Sequence, residues 1–298
     1  MGRLRAVPVL AALALVAACG GAENGGPGVS PTSSSPAATS TSTQPTWHPS
    51  SSPTTSKPTT TAPKPSTTTP KPSTTTPKPS MTTPSVRPPV ISGRVVSVLP
   101  TSRKVVALTF DGGAGNEGVD SILATLSREH VPATFFLTGD FCVDHPGIAA
   151  RLAAAGSVGN HTYDHPHLPQ LLSDAAVKSQ VTRARTAILN ATGEEPRPLF
   201  RFPYGDYDSR TLRLVNGLGY VAVGWTVDTL GWKGEDEGIT AAKVVSRVIA
   251  ARTPGEIVLM HLGAALDKTT LDADALPRVI SSLRSYGYGF VTLDQLRG

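Results

Sequence analysis

Val105-Val106-Ala107-Leu108-Thr109-Phe110-Asp111-Gly112-Gly113 is an apolar run that stops abruptly at a carboxylate and two glycines. Val105 to Phe110 has the length and branching of a buried strand, and the stretch Gly118 to His130 that follows has helical spacing. A second strand-like run, Ala133 to Leu137, comes next. Strand, helix and strand in this order argue for parallel pairing with a crossover. The alternation persists outward. Helices are expected at Pro146 to Ala155, Leu171 to Ala191, Ser209 to Gly217, Thr240 to Arg252 and Ala273 to Tyr286, and Gly156 and Gly193 supply two of the stops. Strands are expected at Leu199 to Phe202, Tyr220 to Trp225, Glu256 to Met260 and Gly289 to Leu293. So many units in roughly 200 residues favour a (β/α) barrel over an open sheet, and in such barrels reactive side chains gather where strands end.

The chain's polar clusters obey that rule. Asp111 closes the first strand, Arg201-Phe202-Pro203-Tyr204-Gly205 closes another, Asp228 to Trp232 follows Trp225, and Leu259-Met260-His261 ends the next. His161 and His165, in Asn160-His161-Thr162-Tyr163-Asp164-His165, follow the short segment Ser157 to Gly159. Their spacing of four predicts one face of a single helical turn, from which both imidazoles could reach one cation. Position 162 is Thr, where a thermolysin-type helix would carry Glu, so a general base must come from elsewhere.

The remainder of the chain is of another kind. Arg3 and Arg5 precede an apolar run from Ala6 to Ala18, too short to span a bilayer, which predicts an export signal over 1–19. Val16-Ala17-Ala18-Cys19 looks like a bacterial lipobox, which implies lipidation of Cys19 and a membrane anchor facing the cell wall; ordinary secretory cleavage near Ala18 is the alternative. Residues 20–90 are Ser, Thr, Pro and Gly with a seven-residue repeat beginning at Lys57-Pro58, Lys64-Pro65, Lys71-Pro72 and Lys78-Pro79. Proline at that density forbids helix and predicts an unfolded, extended spacer reaching on the order of 200 Å. Cys142 is the one other cysteine, so a lipidated Cys19 leaves no intramolecular disulfide, and Cys142 reads as a buried apolar group.

The net charge of +5 belongs to the leader and spacer, since residues 91–298 hold 20 basic and 21 acidic side chains. That balance gives no support to nucleic-acid binding by the folded part.

Two imidazoles, a strand-end carboxylate and a separate histidine suit metal-assisted hydrolysis. Asp111 would take a proton from water and His261 would protonate the leaving group. Arg201 would hold the Asp111 carboxylate, and a backbone N–H near Tyr204 could bind an oxyanion. His130, His145, His167 and His48 read as surface residues, with His167 the one close enough to His165 to intrude.

In this order the clusters resemble the NodB-homology polysaccharide deacetylases, carbohydrate esterase family 4, over about residues 100–298. The resemblance implies a distorted (β/α) barrel and divalent-metal-dependent deacetylation of glycans. It implies His161 and His165 as metal ligands, Asp111 as catalytic base, His261 as catalytic acid, and Trp232 and Leu259 lining a pocket for the acetyl methyl. Zinc is expected, with cobalt, nickel or manganese as alternatives. The expected substrate is an N-acetylated glycan such as peptidoglycan or a chito-oligosaccharide, and the expected oligomeric state is a monomer.

Two positions depart from the family pattern. The usual T-F-D-D-G has a second aspartate as third metal ligand, where this chain has Gly112. The usual D-x-x-D-W has an aspartate before Trp that braces the motif arginine, where this chain has Gly231 and keeps Asp228. Metal binding should weaken, with Asp111, water or substrate completing the shell. Arg201 should then pair with Asp111, Asp206 or Asp228. Two other readings remain open: an O-deacetylase of the acetyl xylan esterase type, and a non-catalytic glycan-binding lipoprotein with a degenerate site.

Overall fold

The computed structural model describes residues 93–113 and 115–297. The expected leader (1–19), Cys19 and the spacer (20–90) lie outside the described residues. Nine strands form one sheet: β1 Val95–Val96, β2 Val105–Gly112, β3 Ala133–Leu137, β4 Ser157–Asn160, β5 Leu199–Phe200, β6 Val221–Val223, β7 Val227–Asp228, β8 Glu256–His261 and β9 Gly289–Phe290. Their order is β1-β6-β5-β4-β3-β2-β8-β7, with β9 on the first residues of β2, and every ladder between named strands is parallel. The sheet curls into a half-barrel with helices outside. It is the (β/α) barrel that the alternation predicts.

All eight positions of β2 are buried, because the strand has neighbours on both edges, helices behind it and the barrel interior in front. Phe110 and Leu108 face the helix layer with Leu126, Leu276 and Ile280, while Ala107 joins Phe136, Leu199, Val221 and Ile257 in a second cluster. That period-two division puts Asp111 on the interior side at the strand's carboxyl end.

The helices are α1 Val119–Glu129, α2 Gly139–Asp144, α3 Pro146–Ala155, α4 Asp174–Thr192, α5 Ser209–Gly217, α6 Ala241–Ala251 and α7 Leu271–Ser285. Their starts follow local chemistry. Ser173 Oγ accepts the Ala176 N–H at 3.1 Å, so α4 begins at Asp174 and not at the predicted Leu171. Asp208 and Thr211 cap α5 reciprocally.

Several sequence expectations need correction. α2 is missing from them, as are β1 and β7, because a six-residue helix and two-residue strands carry too little periodicity to read. The strand predicted over Leu199 to Phe202 ends at Phe200, since Pro203 opens a turn in which Tyr204 and Gly205 both have positive φ. The strand predicted to Leu293 ends at Phe290, and Leu293 begins a 3₁₀ turn. The helical turn predicted for His161 to His165 does not exist. The segment is a loop in which Thr162 and His165 have φ of 68° and 60°.

Glu256 opens β8 at the end of the barrel opposite the strand tips. Its side chain is buried and both carboxylate oxygens lack a protein partner, so burial pushes its pKa up to about 8. An acid whose folded pKa is raised costs nothing below its unfolded value near 4.5, and its cost grows as pH rises to the folded pKa. Glu256→Gln should therefore remove a loss of stability that accumulates between about pH 4.5 and 8 at roughly 1.4 kcal/mol per unit. Urea unfolding at several pH values checks this: the gap between variant and wild type widens across that window and is flat above it.

Candidate active site

Arg201 anchors the site. It leaves the tip of β5, and its side chain crosses the interior with no exposure to solvent. Its Nη1 donates to Asp111 Oδ1 at 2.7 Å, while Nη2 donates to Thr109 Oγ1 at 2.9 Å and to the Gly224 carbonyl at 3.2 Å. The guanidinium also lies over the Phe136 ring, 4.2 Å from its centroid. Of the three partners the sequence left open, Asp111 is the one realised. Burial works to raise the Asp111 pKa, but the charges of Arg201, His161 and His261 outweigh it and hold the carboxyl below its usual range.

The two imidazoles come from a pinned loop. Asn160 Oδ1 accepts the Thr162 N–H at 2.9 Å, and its Nδ2 donates to the Val181 carbonyl at 2.9 Å. Gln180 Oε1 accepts the N–H groups of Tyr163 and Asp164, and the N–H groups at the start of α2 bond the Thr162 and Tyr163 carbonyls. These bonds hold the positive-φ residues in place and make a helix unnecessary for bringing the rings together. His161 Nδ1 donates to the Arg201 carbonyl at 2.9 Å, which leaves Nε2 as the lone-pair nitrogen. That nitrogen stands 3.1 Å from His165 Nε2 and 3.3 Å from Asp111 Oδ2.

Burial keeps both rings neutral, His161 lowered below its ordinary value and His165 lowered to about 4. Two neutral imidazole nitrogens converging on one point beside a carboxylate oxygen are a donor set that fits a divalent cation. Among the described residues no third ligating side chain closes the group. Position 112 could not supply one without rearrangement, because a Cβ there would meet Leu262 Cδ1 at 2.8 Å and Leu137 Cδ2 at 3.0 Å.

His261 ends β8 directly beside Asp111, its register partner on β2. Burial would lower its pKa, but the carboxylates of Asp272, Asp111 and Asp228 more than offset that and hold the ring above its ordinary value. Asp111, His161, His165 and His261 all line one cleft of about 540 Å³, together with Asp140, Asp164, Trp232 and Leu266.

Set beside known proteins, residues 99–223 match the polysaccharide deacetylase family pattern. A peptidoglycan-N-acetylglucosamine deacetylase of Bacillus cereus is 34% identical over 200 residues, which cover 66% of this chain and 70% of that protein. The chain belongs to the polysaccharide deacetylase family. The peptidoglycan-N-acetylglucosamine deacetylase PgdA of Listeria monocytogenes is 37% identical over 66% of this chain, but this chain spans only 40% of its length. Among solved structures, a pseudoenzyme of carbohydrate esterase family 4 from Bacillus anthracis superposes with a TM-score of 0.62 at 28% identity, covering 70% of each chain. A mutant of that protein has restored enzymatic activity.

Leu259, Tyr204 and Asp228 do not line the cleft. Leu259 is buried in the core and is not part of the cleft wall, whereas the fully exposed Leu266 is. Tyr204 stands beside the cleft, its ring edge-on to His165 and stacked on His167 at 4.0 Å. Asp228 accepts the Leu230 N–H at 2.8 Å and braces the Trp232 loop; it makes no bond to Arg201.

His167 is no idle surface group, since its Nδ1 lies 2.9 Å from Asp206 Oδ2. No local pattern singles out Gln180, which fixes the histidine loop, or Asp272 on α7, whose carboxylate lies behind His261. Both are helix residues whose role depends on what their helix packs against.

Removing the cation of the buried pair leaves Asp111 unpaired. Arg201→Met should lower stability by about 3–5 kcal/mol, read from urea unfolding at pH 7, while Asp111→Asn with Arg201 intact should cost less because two of its acceptors remain.

Proposed function

We propose that this protein removes acetyl groups from N-acetylated sugars, with peptidoglycan N-acetylglucosamine as the substrate class. The observation that carries this is the linked arrangement of Arg201, Asp111 and His161, with His165 facing the same point and His261 on the adjoining strand tip. The substrates named for the relatives in Bacillus cereus and Listeria monocytogenes support the same glycan class.

A divalent cation, zinc before cobalt, nickel or manganese, would be held by the Nε2 atoms of His161 and His165. When bound, it polarises the acetyl carbonyl and lowers the pKa of an attacking water towards about 7. The chain's own residues do the rest. Arg201 fixes Oδ1 of Asp111, leaving Oδ2 to take the proton as water adds to the carbonyl carbon. His161 keeps its Nδ1 proton on the Arg201 carbonyl, so its other nitrogen stays a donor of electrons. When the tetrahedral centre collapses, protonated His261 gives its proton to the departing amine and the C–N bond breaks. Acetate and a free amino sugar result. Trp232 and Leu266 supply apolar surface at the mouth for the acetyl methyl.

We further propose export and lipid anchoring through Cys19, with 20–90 as the spacer that lets the catalytic part reach wall glycan. Val16 to Cys19 and the preceding apolar run support it. Among the described residues no helix is long and apolar enough to cross a membrane.

Two features favour a second reading, glycan binding without turnover. Gly112 brings no carboxylate, and a structurally similar family member is a pseudoenzyme. The two readings part cleanly in one experiment. Purified protein loaded with zinc should release acetate from peptidoglycan fragments or N-acetylated chito-oligosaccharides, chelator should abolish release, and Asp111→Asn should lower kcat by about 10²–10⁴-fold. Saturable glycan binding with no acetate under any of the four metals would establish the binding reading instead. Activity should also fall on the alkaline side through a pKa above the ordinary histidine value, as His261 loses the proton it must donate.

A further inference from the structure

Position 231 and Asp272 compete for one space. Gly231 sits in the loop after β7, and a Cβ built on it would lie 2.6 Å from Asp272 Cγ and 2.8 Å from Oδ2, closer than non-bonded atoms approach. The glycine is therefore what admits the Asp272 carboxylate, which arrives from the first turn of α7. That carboxylate is almost wholly buried. Its Oδ1 accepts from Thr229 Oγ1 at 2.7 Å and its Oδ2 accepts the His261 N–H at 2.8 Å.

The same Oδ2 is also 3.7 Å from His261 Nδ1, an ion-pair distance. Nδ1 is itself buried with no hydrogen-bond partner, so Asp272 is the acceptor nearest to hand for the one ring atom left unsatisfied. A shift of about half an ångström in the ring would close that gap to a hydrogen bond. Arg201 bonds Asp111, Thr109 and the Gly224 carbonyl through its two terminal nitrogens, while its buried Nε–H has no partner.

We infer that Asp272 is the positioning carboxylate of His261, entering the cleft's rear wall from α7 through the space that Gly231 leaves open. It holds the imidazole with Nδ1 protonated and turned to the rear, so that Nε2 faces the cleft. When the ring carries a second proton, Nε2–H is the one delivered to the leaving amine, and Asp272 keeps its own charge throughout. Asp272 touches no substrate. It acts through His261, and its catalytic part rests on the deacetylase reading above.

Asp272→Asn tests this, because it withdraws the negative charge while its oxygen can still accept the His261 N–H and its NH2 can donate to Thr229 Oγ1. Long-range ¹⁵N–¹H NMR of the zinc-loaded full chain should place the neutral His261 proton on Nδ1 in wild type and in Asp272→Asn, whose oxygen still faces it, and move it to Nε2 in Asp272→Ala. With peptidoglycan fragments, kcat of Asp272→Asn should fall at least tenfold while KM stays within twofold. Gly231→Asp combined with Asp272→Ala, which puts a carboxylate back from the other side, should regain a large part of the loss relative to Asp272→Ala alone.

A wild-type proton on Nε2 overturns the inference even if no variant folds, and so does an Asp272→Asn protein with unchanged kcat or an Asp272→Ala protein with unchanged tautomer. If wild type releases no acetate yet its tautomer depends on Asp272, the deacetylase reading fails and the positioning contact stands.

Discussion

A positive charge buried inside the barrel organises everything that matters at the strand tips. Arg201 has left water entirely, and the desolvation this entails is large enough that a hydrophobic replacement for such an ion pair is often as stable. The guanidinium's geometry, more than its contribution to stability, explains its place there. One planar group bonds Asp111 and Thr109 on β2 and the Gly224 carbonyl beyond β6, so three parts of the sheet are tied to the tip of β5. The same residue's carbonyl takes the Nδ1 proton of His161. A single residue therefore sets the carboxylate's free oxygen and the tautomer of the imidazole beside it.

Charge is distributed unevenly along the barrel as a result. At the strand tips a carboxylate is kept ionised beneath its ordinary pKa by the cation behind it, while His161 and His165 are kept neutral by burial. At the opposite end, Glu256 is buried with no hydrogen-bond partner, and the pull of Arg252 is too weak to offset burial, so it is driven towards its neutral form. Similar burial produces opposite outcomes for two acids because only one has a buried partner.

The two glycines that replace expected carboxylates are not equivalent. At 112 the vacated space is filled by the tips of Leu262 and Leu137, so the apolar core closes over the position. At 231 it is filled by a carboxylate from another element. The first change thins the set of groups facing the histidine pair, whereas the second moves a negative charge from one backbone segment to another. Close packing makes this possible: in a dense interior an absent side chain is an opening that a neighbour takes up.

From residue order alone, the alternation of β2, α1 and β3 and its repetition determined a parallel barrel, and strand-end placement marked Asp111, Arg201 and His261, because period and chain direction are local properties. The histidine pair was legible as a pair although the helix invoked to join it was not there. Asn160 and Gln180 bend a loop to the same end, and side-chain bonds across 16 or 17 residues leave no periodic trace. Only the tertiary structure chose Asp111 as the partner of Arg201, removed Leu259 from the cleft and put Leu266 there, and brought Asp272 behind His261. Each of these depends on which helix packs over which strand tip, a matter settled by how distant apolar faces fit together and not by any run of neighbouring residues.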